Sequence, residues 1–271
     1  GIYSNLGWEA EVIGDVDGDD INDLALVSRK VNNKKDGALH IITGGNSLFN
    51  SGADYLIDDS SLGAYTISKA DALQSEFAVS VIDMGDLNGD NLDDFAAVEQ
   101  KTDGGTYSDV YIYYGSSSPS WIAGSPDVRI DMNFDYNDDG SDEYGNFKSK
   151  IIENVGDING DGENDLALVS PSMIYKTTDL TRGSGAVFIH TDLKDKAVRD
   201  AYLDASIVFN NPLSDGGANT FGQSFATGDL NGDGHTDFAV GGKAIGSSTE
   251  GGLYLYYGPF DGVYESAQGK I

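Results

Sequence analysis

The sequence contains no cysteine, only five prolines and few basic residues. The lack of cysteine excludes both a disulfide framework and a cysteine-ligated metal. The 16 Lys and Arg residues stand against 45 Asp and Glu residues, for a net charge of −29. Because phosphate groups are bound by clustered basic side chains, this balance argues against nucleic acid as a partner. No apolar run approaches the ~20 residues that span a bilayer, so we expect no membrane insertion.

The residues that are abundant point to a chain rich in tight loops. There are 36 Asp but only 9 Glu, together with 36 Gly. Asp and Gly are enriched where the backbone turns, and a short carboxylate suits a loop that must reach a cation. With 15 Tyr and 11 Phe to fill an interior, the composition predicts a globular, mostly β protein. The chain begins at Gly1 with no basic and apolar leader after it, so we expect a processed chain or an excised piece.

One sequence unit occurs four times. Its leading aspartates are 71, 71 and 72 residues apart, so four units fill nearly the whole chain. The four copies begin Gly14-Asp15-Val16-Asp17-Gly18-Asp19, Gly85-Asp86-Leu87-Asn88-Gly89-Asp90, Gly156-Asp157-Ile158-Asn159-Gly160-Asp161 and Gly228-Asp229-Leu230-Asn231-Gly232-Asp233.

Each unit also has a pattern of four short apolar or alternating runs of strand length. In the first unit these are residues 8–13, 24–27, 38–43 and 55–57. Helical periodicity is confined to residues 192–203. Repeated groups of four strands are typical of a β-propeller, so we predict an all-β propeller of four four-stranded blades. The predicted blades span about residues 1–62, 63–133, 134–209 and 210–271.

The repeated loop has the spacing of a cation site. Positions 1, 3, 5 and 9 are always Asp or Asn, position 4 is always Gly, and position 7 would offer a backbone carbonyl. Alternating oxygen ligands from a tight loop suit Ca²⁺ better than Mg²⁺, which keeps more of its water. The predicted ligands are Asp15, Asp17, Asp19, Ile21 and Asp23; Asp86, Asn88, Asp90, Leu92 and Asp94; Asp157, Asn159, Asp161, Glu163 and Asp165; and Asp229, Asn231, Asp233, His235 and Asp237.

These loops have two other interpretations. Four Asp- and Gly-rich turns without metal would bring several like charges together without compensation. An EF-hand or dockerin loop places Gly at position 6 and an acidic ligand at position 12. Position 12 here is apolar and lies within a predicted strand; it is Leu26, Ala97, Leu168 and Val240. The EF-hand is therefore excluded.

The sequence resembles the FG-GAP repeats of integrin α-subunit propellers and of many bacterial surface proteins. Phe221-Gly222 followed by residues 228–234 matches the opening and the calcium loop of that family. Leu6-Gly7 is a weaker opening, and Phe77-Ala78 lacks the glycine. Gly-Ala or Gly-Gly before the third strand, as in Gly37-Ala38, also fits. The resemblance implies blades that carry calcium in the loop between strands 1 and 2, on the face opposite the usual ligand-binding loops.

The number of units leaves the closure of the propeller open, because integrin-like propellers have seven blades. A compact four-bladed ring, a part of a larger ring, and a ring completed by another chain all fit. We favour the first, because four whole units fill the chain. The bulky Trp8, Phe77, Phe147 and Phe221 near the starts of the inner strands are then expected to fill a narrow central channel.

Weaker signals concern a fifth cation and a recognition surface. Asp135, Asn137 and Asp139 repeat the alternating spacing and would form a fifth calcium site. Half of the basic residues lie in the loops between the second and third strands of the units, which would give one face a partly basic character. Solvated acidic loops and variable loops that hold soluble residues are the simpler explanation of the two observations.

The sequence has no recognisable catalytic motif. His40, His190 and His235 have no metal or triad spacing, and there is neither a Gly-x-Ser-x-Gly elbow nor a phosphate-binding Gly-rich loop. We therefore predict a secreted or cell-surface, calcium-stabilised module for binding, adhesion or assembly, without catalytic activity. Its partner would be a protein or glycan at the cell surface, or further copies of itself. The alternatives are a carbohydrate-active enzyme, such as a polysaccharide lyase or hydrolase, or its substrate-binding part, and a structural subunit of a surface polymer.

Overall fold

The computed structural model consists of four β-sheets that follow one another along the chain. Each sheet contains one of the four repeated units, so the prediction of an all-β chain with four propeller-type blades is confirmed. The structure describes residues 3–31, 37–45, 65–68, 75–101, 108–119, 121, 125–132, 151–177, 180–195, 197–200, 204–212, 220–243, 251–260, 263–264 and 269–270.

The first sheet has four antiparallel strands in sequence order. They are β1 (Tyr3–Val12), β2 (Leu24–Val31), β3 (Ala38–Ile42) and β4 (Tyr65–Ser68). The sheet therefore extends beyond the blade boundary predicted at residue 62. The run predicted as its fourth strand, residues 55–57, lies outside the described residues. Tyr65 and Ile67 face Ile41 and Leu39 in register, and this pairing identifies the outer strand.

The second sheet has four strands of its own unit and a fifth from later in the chain. These are β5 (Ser75–Gly85), β6 (Asp94–Lys101), β7 (Ser108–Tyr113) and β8 (Val128–Asp131), followed at the outer edge by β12 (Val198–Asp200). The backbone N–H of Arg129 donates to the carbonyl of Ala197 over 2.8 Å. The helical periodicity of residues 192–203 was thus misleading: of the residues described there, Leu193–Asp195 form a 3₁₀ turn and Val198–Asp200 form a strand.

The third sheet repeats this arrangement, and the fourth sheet has four strands. The third contains β9 (Ile151–Gly156), β10 (Asp165–Thr177), β11 (Leu180–His190) and β13 (Ile207–Asn210), and β17 (Val263–Tyr264) pairs in parallel with β13. The fourth contains β14 (Thr220–Gly228), β15 (Asp237–Lys243), β16 (Gly252–Tyr256) and β18 (Gly269–Lys270). The second and third sheets therefore each gain an outer strand from the connection between strands 3 and 4 of the following unit.

The FG-type openings are β-bulges in the first strand of a blade. The register shifts at Gly7, Ala78 and Gly222, which have φ angles of 76°, 50° and 89°. Glycine adopts such positive φ angles without a steric penalty, which explains its place in this motif. Ala78 adopts the same positive φ conformation although it carries a Cβ atom.

The bulges bring Phe77 and Phe221 into the contact between neighbouring sheets. Both side chains are buried, and the backbone of each lies so close to Gly37 or Gly185 of the preceding sheet that a Cβ atom there would clash. The expectation that these aromatic residues line a central channel is therefore wrong for Phe77 and Phe221. Trp8 is 55% exposed, with the Arg29 guanidinium 4.4 Å from its ring centroid, and Phe147 lies outside the described residues.

The chain divides into two compact units, each containing two sheets. The first comprises Gly1–Asp131 with Lys194–Arg199, and the second comprises Met132–Leu193 with Asp200–Ile271. In the first unit, Val27 and Leu39 of one sheet belong to the same buried cluster as Phe77 and Phe95 of the next. A strand that is buried on both faces has a continuous run of apolar residues in its sequence. This explains why each repeated loop is followed by a run such as Leu24–Val27.

The second unit is packed around aromatic side chains. Phe209 on β13 contacts the rings of Phe238, Tyr256 and Phe260 at centroid distances of 5.2, 4.7 and 5.2 Å. Phe238 and Phe260 stack at 4.7 Å. Aromatic pairs at these distances add to the stability that burial of their surface provides.

No helix of the described residues is long and apolar enough to cross a membrane. Closure of the four blades into one ring stays a prediction.

Candidate functional site

The four repeated loops connect the first and second strands of the four sheets. They follow β1, β5, β9 and β14 and end where β2, β6, β10 and β15 begin. We number the loops 1 to 4 in chain order and use positions 1 to 9 within each, starting at Asp15, Asp86, Asp157 and Asp229. All predicted ligand residues lie in the described part of the chain.

The carboxylate at position 1 organises the turn. Its Oδ1 accepts hydrogen bonds from the N–H groups of positions 4 and 5, and its Oδ2 accepts one from position 6. In loop 4 these bonds to Asp229 measure 2.6, 3.1 and 2.9 Å from Gly232, Asp233 and Gly234. The same three bonds occur in the other loops. The repeated sequence therefore folds into one repeated local structure.

The side chains at positions 3 and 5 face each other across this turn. In loop 4, Asn231 Nδ2 donates to Asp233 Oδ2 over 2.9 Å, and Asn231 Oδ1 accepts the Asp233 N–H at 2.8 Å. Loops 2 and 3 show the same pair of bonds. The N–H of position 7 donates to Oδ1 of position 5 in all four loops. The carbonyl of position 7 stays a predicted ligand.

The aspartate at position 9 is buried and joins the loop to the sheet. Asp23, Asp94, Asp165 and Asp237 are at most 1% exposed. In each, Oδ2 accepts the N–H of position 2 at 2.8 to 2.9 Å. This residue therefore closes the loop from inside the protein, whereas positions 1, 3 and 5 lie nearer the solvent.

A glycine after the third strand completes the loop, and the sequence analysis did not identify it. The N–H groups of Gly44, Gly115 and Gly258 donate to Oδ1 of the position 9 aspartate over 2.6, 2.8 and 3.0 Å. A Cβ atom on these glycines would lie 2.6 Å from the carbonyl oxygen of position 8. The available signal was their constant separation of 21 residues from position 9.

Loop 3 lacks this last contact. The hairpin of β10 and β11 is longer than its counterparts, so the residue 21 positions after Asp165 is Ala186, inside β11. Oδ1 of Asp165 is buried and has no hydrogen-bond partner among the described residues. A cation would offer this oxygen a partner.

Loop 1 carries more acidic residues than each of the other three loops. Asp15, Asp17 and Asp19 each offer a carboxylate oxygen within 4.8 Å of the others. The predicted ligand Asp23 is not part of this group. Position 3 is Asp17 here, so the amide donor that faces position 5 in the other three loops is missing. Oδ1 of Asp17 is buried without a hydrogen-bond partner in the described structure. Burial, followed by the charges of Asp19 and Asp15, raises the pKa of Asp17.

These residues fit a hard divalent cation of the calcium type. The oxygens that accept one N–H each still have a second lone pair, and the donor set consists only of carboxylate and amide oxygens. The cation would remove the repulsion within loop 1 and satisfy the buried oxygens of Asp17 and Asp165.

The pKa values of three position 9 aspartates predict how the stability of the cation-free protein depends on pH. Burial raises the pKa of Asp23 to about 6 and those of Asp94 and Asp165 to about 7. Because these values exceed that of an unfolded Asp, protonation stabilises the folded chain at low pH, and this stability is lost as pH rises through about 6 to 7. In the presence of chelator we expect a higher melting temperature at pH 5 than at pH 8, measured by scanning calorimetry.

The Asp94→Asn variant provides the control for this pH dependence. It removes one titrating group, so the difference between pH 5 and pH 8 should shrink. A melting temperature that increases from pH 5 to pH 8 in chelator would contradict the assignment of these raised pKa values.

The other sequence candidates have mixed outcomes. Asp135, Asn137 and Asp139, the predicted fifth site, lie outside the described residues, as do many basic residues of the variable loops. Arg29 is described, and it forms an ion pair with Glu76 of the second sheet. It therefore has a structural contact within the first unit in addition to its place near the exposed Trp8.

Buried polar clusters lie between strands and away from the loops. His40 contacts Ser28 and Thr66 through its two ring nitrogens, each at 3.0 Å, within the first sheet. In the second sheet, Tyr111 donates to the fully buried Glu99, and Arg129 donates to the fully buried Asp109 over 2.8 Å. Their burial indicates a role in packing the sheets.

Four blade-type sheets with a repeated acidic loop between strands 1 and 2 define a protein of the propeller-repeat class. Comparison with known families and proteins identifies the repeat itself. The family model described as FG-GAP repeat matches residues 221–256, which cover β14, loop 4, β15 and β16. The chain thus contains an FG-GAP repeat at residues 221–256.

The curated relatives are integrin α subunits. The chain is similar to integrin alpha-PS5 of Drosophila melanogaster, with 29% identity over 231 residues, covering 83% of this chain and 20% of the relative. It is also similar to integrin alpha-8 of Mus musculus, with 28% identity over 195 residues, covering 62% of this chain and 17% of the relative. The chain therefore spans about a fifth of the length of these relatives.

Proposed function

We propose that this chain is a calcium-stabilised, extracellular binding module of the adhesion type, without catalytic activity of its own. The observation that supports this most directly is that four acidic loops, each at the same place in its sheet, share the hydrogen bonds made by the carboxylates at positions 1, 5 and 9. A repeated structure at four places indicates a shared structural role for the loops, because a single catalytic centre needs only one.

The similarity to integrin α subunits supports the adhesion part of the proposal. The matched segment is a small share of each integrin subunit. The binding of a protein or glycan at a cell surface is therefore a proposal for this chain, based on the repeat and on its place between the first and second strands of each sheet. The calcium part favours an extracellular location, because weak oxygen-ligand sites fill at the ~10⁻⁴–10⁻³ M calcium found outside cells. Other copies of the chain are the alternative partner.

A variant of loop 4 separates a structural cation from a catalytic one. Asp229→Asn with Asp233→Asn removes two carboxylate ligands from one site. At free calcium of about 10 to 100 times the dissociation constant, losing one site costs about 1.5 to 2.7 kcal/mol. We expect the melting temperature in calcium to fall by about 3 to 10 °C, measured by scanning calorimetry.

The matched control is Asp20→Asn with Glu11→Gln, which changes the same amount of charge at two exposed positions that are not proposed ligands. It should leave the melting temperature within about 2 °C of the parent. Glycan and protein arrays probed with and without calcium identify the partner, and the loop 4 variant should bind it wherever the fold is intact. Robust cleavage of acidic polysaccharides that is lost in the loop 4 variant, with unchanged melting, would contradict the proposal.

A further inference from the structure

Loops 1 and 2 are in direct contact within the first unit. The N–H of Asp15 donates to Oδ2 of Asp93 over 2.8 Å, and the N–H of Asp93 donates to the carbonyl of Asp15 over 3.0 Å. A third bond runs from the N–H of Ser116 to the carbonyl of Val16 over 2.8 Å. Position 1 of loop 1 is thus held by two reciprocal hydrogen bonds to position 8 of loop 2.

Close packing reinforces these bonds. Gly14 lies against the side chain of Asp93, and a Cβ atom at Gly14 would be only 2.0 Å from Oδ2 of Asp93. A Cβ atom at Gly18 would be 3.1 Å from the side chain of Leu92. The two loops therefore have little room to move independently.

The contact connects the proposed ligands of two different cations. Asp15 is position 1 of loop 1, and Asp93 lies between positions 7 and 9 of loop 2, which are Leu92 and Asp94. Ser116 directly follows Gly115, whose N–H donates to Asp94 over 2.8 Å. A cation that orders Leu92 and Asp94 would thereby fix the backbone and side chain of Asp93, which in turn position Asp15.

The second unit provides a natural comparison. Position 8 of loop 4 is Thr236, and a Cβ atom at Gly156, before loop 3, would meet no atom within 4 Å. Among the described residues, no hydrogen bond joins Asp157 of loop 3 to Thr236 of loop 4. The other loops have Asn22 and Asn164 at position 8, so Asp93 is the one acidic residue at this position of the repeat.

We propose that loops 1 and 2 bind calcium cooperatively through Asp93, whereas loops 3 and 4 bind it independently of each other. This inference rests on the proposed calcium function. Asp93 is a positioning residue, because it acts on a ligand of loop 1 from a place in loop 2. Coupling between two sites is reciprocal, so calcium in either loop favours calcium in the other.

Calcium titration of the full chain by nuclear magnetic resonance tests the inference. The position 4 glycines Gly18, Gly89, Gly160 and Gly232 give one backbone amide signal for each loop. In the first variant, Asp86→Asn with Asp90→Asn disables loop 2. We expect the calcium dissociation constant reported by Gly18 to increase five-fold or more, within the usual range of coupling between sites.

The same loop 2 change is then made in an Asp93→Ala background. Without the Asp93 side chain, disabling loop 2 should change the dissociation constant at Gly18 by less than two-fold. Asp93→Asn keeps an oxygen that can accept the Asp15 N–H, so this variant should retain most of the coupling. Disabling loop 4 with Asp229→Asn and Asp233→Asn should leave the constant at Gly160 unchanged within two-fold.

The signals of Gly160 and Gly232 serve as the internal control for folding in every loop 2 and Asp93 variant. An equal change at Gly18 with and without the Asp93 side chain overturns the inference, as does the absence of any change. If all four loops bind calcium with independent constants, only the coupling is wrong. If no amide responds to calcium up to about 10 mM, the proposed calcium function fails as well.

Discussion

Chelation of calcium is expected to lower the melting temperature of this protein by at least about 10 °C. Each cation would bind the folded loop and not the unfolded chain, so each contributes about 1.5 to 2.7 kcal/mol at free calcium 10 to 100 times its dissociation constant. For a chain of this size, 1 kcal/mol corresponds to about 2 to 4 °C. Four sites together give a shift well beyond experimental error in scanning calorimetry.

The control for this experiment is magnesium at the same ionic strength. Mg²⁺ holds its water more tightly and needs a stricter octahedral geometry, so it should restore only a small part of the stability. The comparison also removes general screening of the net charge of −29 as an explanation. An unchanged melting temperature after chelation would contradict calcium stabilisation.

Replacement of Phe209 by Ala is expected to destabilise the second unit by about 3 to 5 kcal/mol. Phe209 is fully buried and contacts Phe238, Tyr256 and Phe260, so its removal leaves a cavity between the third and fourth sheets. The corresponding decrease of the melting temperature is about 6 to 20 °C. Urea unfolding monitored by tyrosine fluorescence and calorimetry measures it.

Leu230→Ala is the control, because Leu230 is 54% exposed in loop 4 and its loss removes little buried surface. It should change the free energy of unfolding by less than about 0.5 kcal/mol. A Phe209→Ala variant as stable as the parent would show that the packing of the third sheet against the fourth does not hold the second unit together.

The repeated loops and the strands around them could be predicted from the sequence because both rest on local chemistry. The carboxylate at position 1 accepts N–H groups three to five residues further along the chain, so the turn is determined by nearby residues such as Asp229, Gly232 and Gly234. Ala25 and Val27 in the first unit, and Ala167 and Val169 in the second, belong to the buried clusters of their units, and the burial of these apolar runs leaves a clear signal. The period of the repeat then gave the number of sheets.

Three of the outer strands could not be placed in this way. β4, β12 and β17 have two to four residues each, and a strand of that length has no measurable periodicity. Their positions depend on which open edge is available, and β12 and β17 pair with the sheet before their own unit. The glycines that donate to position 9 were missed for a related reason, since Gly115 is distant in sequence from the loop that it completes.

The hydrogen bonds of position 1 also affect the rate at which asparagine residues of this protein deamidate. Loops 2, 3 and 4 contain Asn-Gly at positions 3 and 4, the pairs Asn88-Gly89, Asn159-Gly160 and Asn231-Gly232. Asparagine followed by glycine loses ammonia when the glycine nitrogen attacks the side-chain amide carbon, and water then opens the cyclic imide to aspartate or isoaspartate. In the folded loops that nitrogen is committed as a donor to the position 1 carboxylate, at 2.6 to 2.7 Å. The folded structure of the loop is therefore expected to slow deamidation. A protein that loses this loop structure would deamidate at all three Asn-Gly pairs.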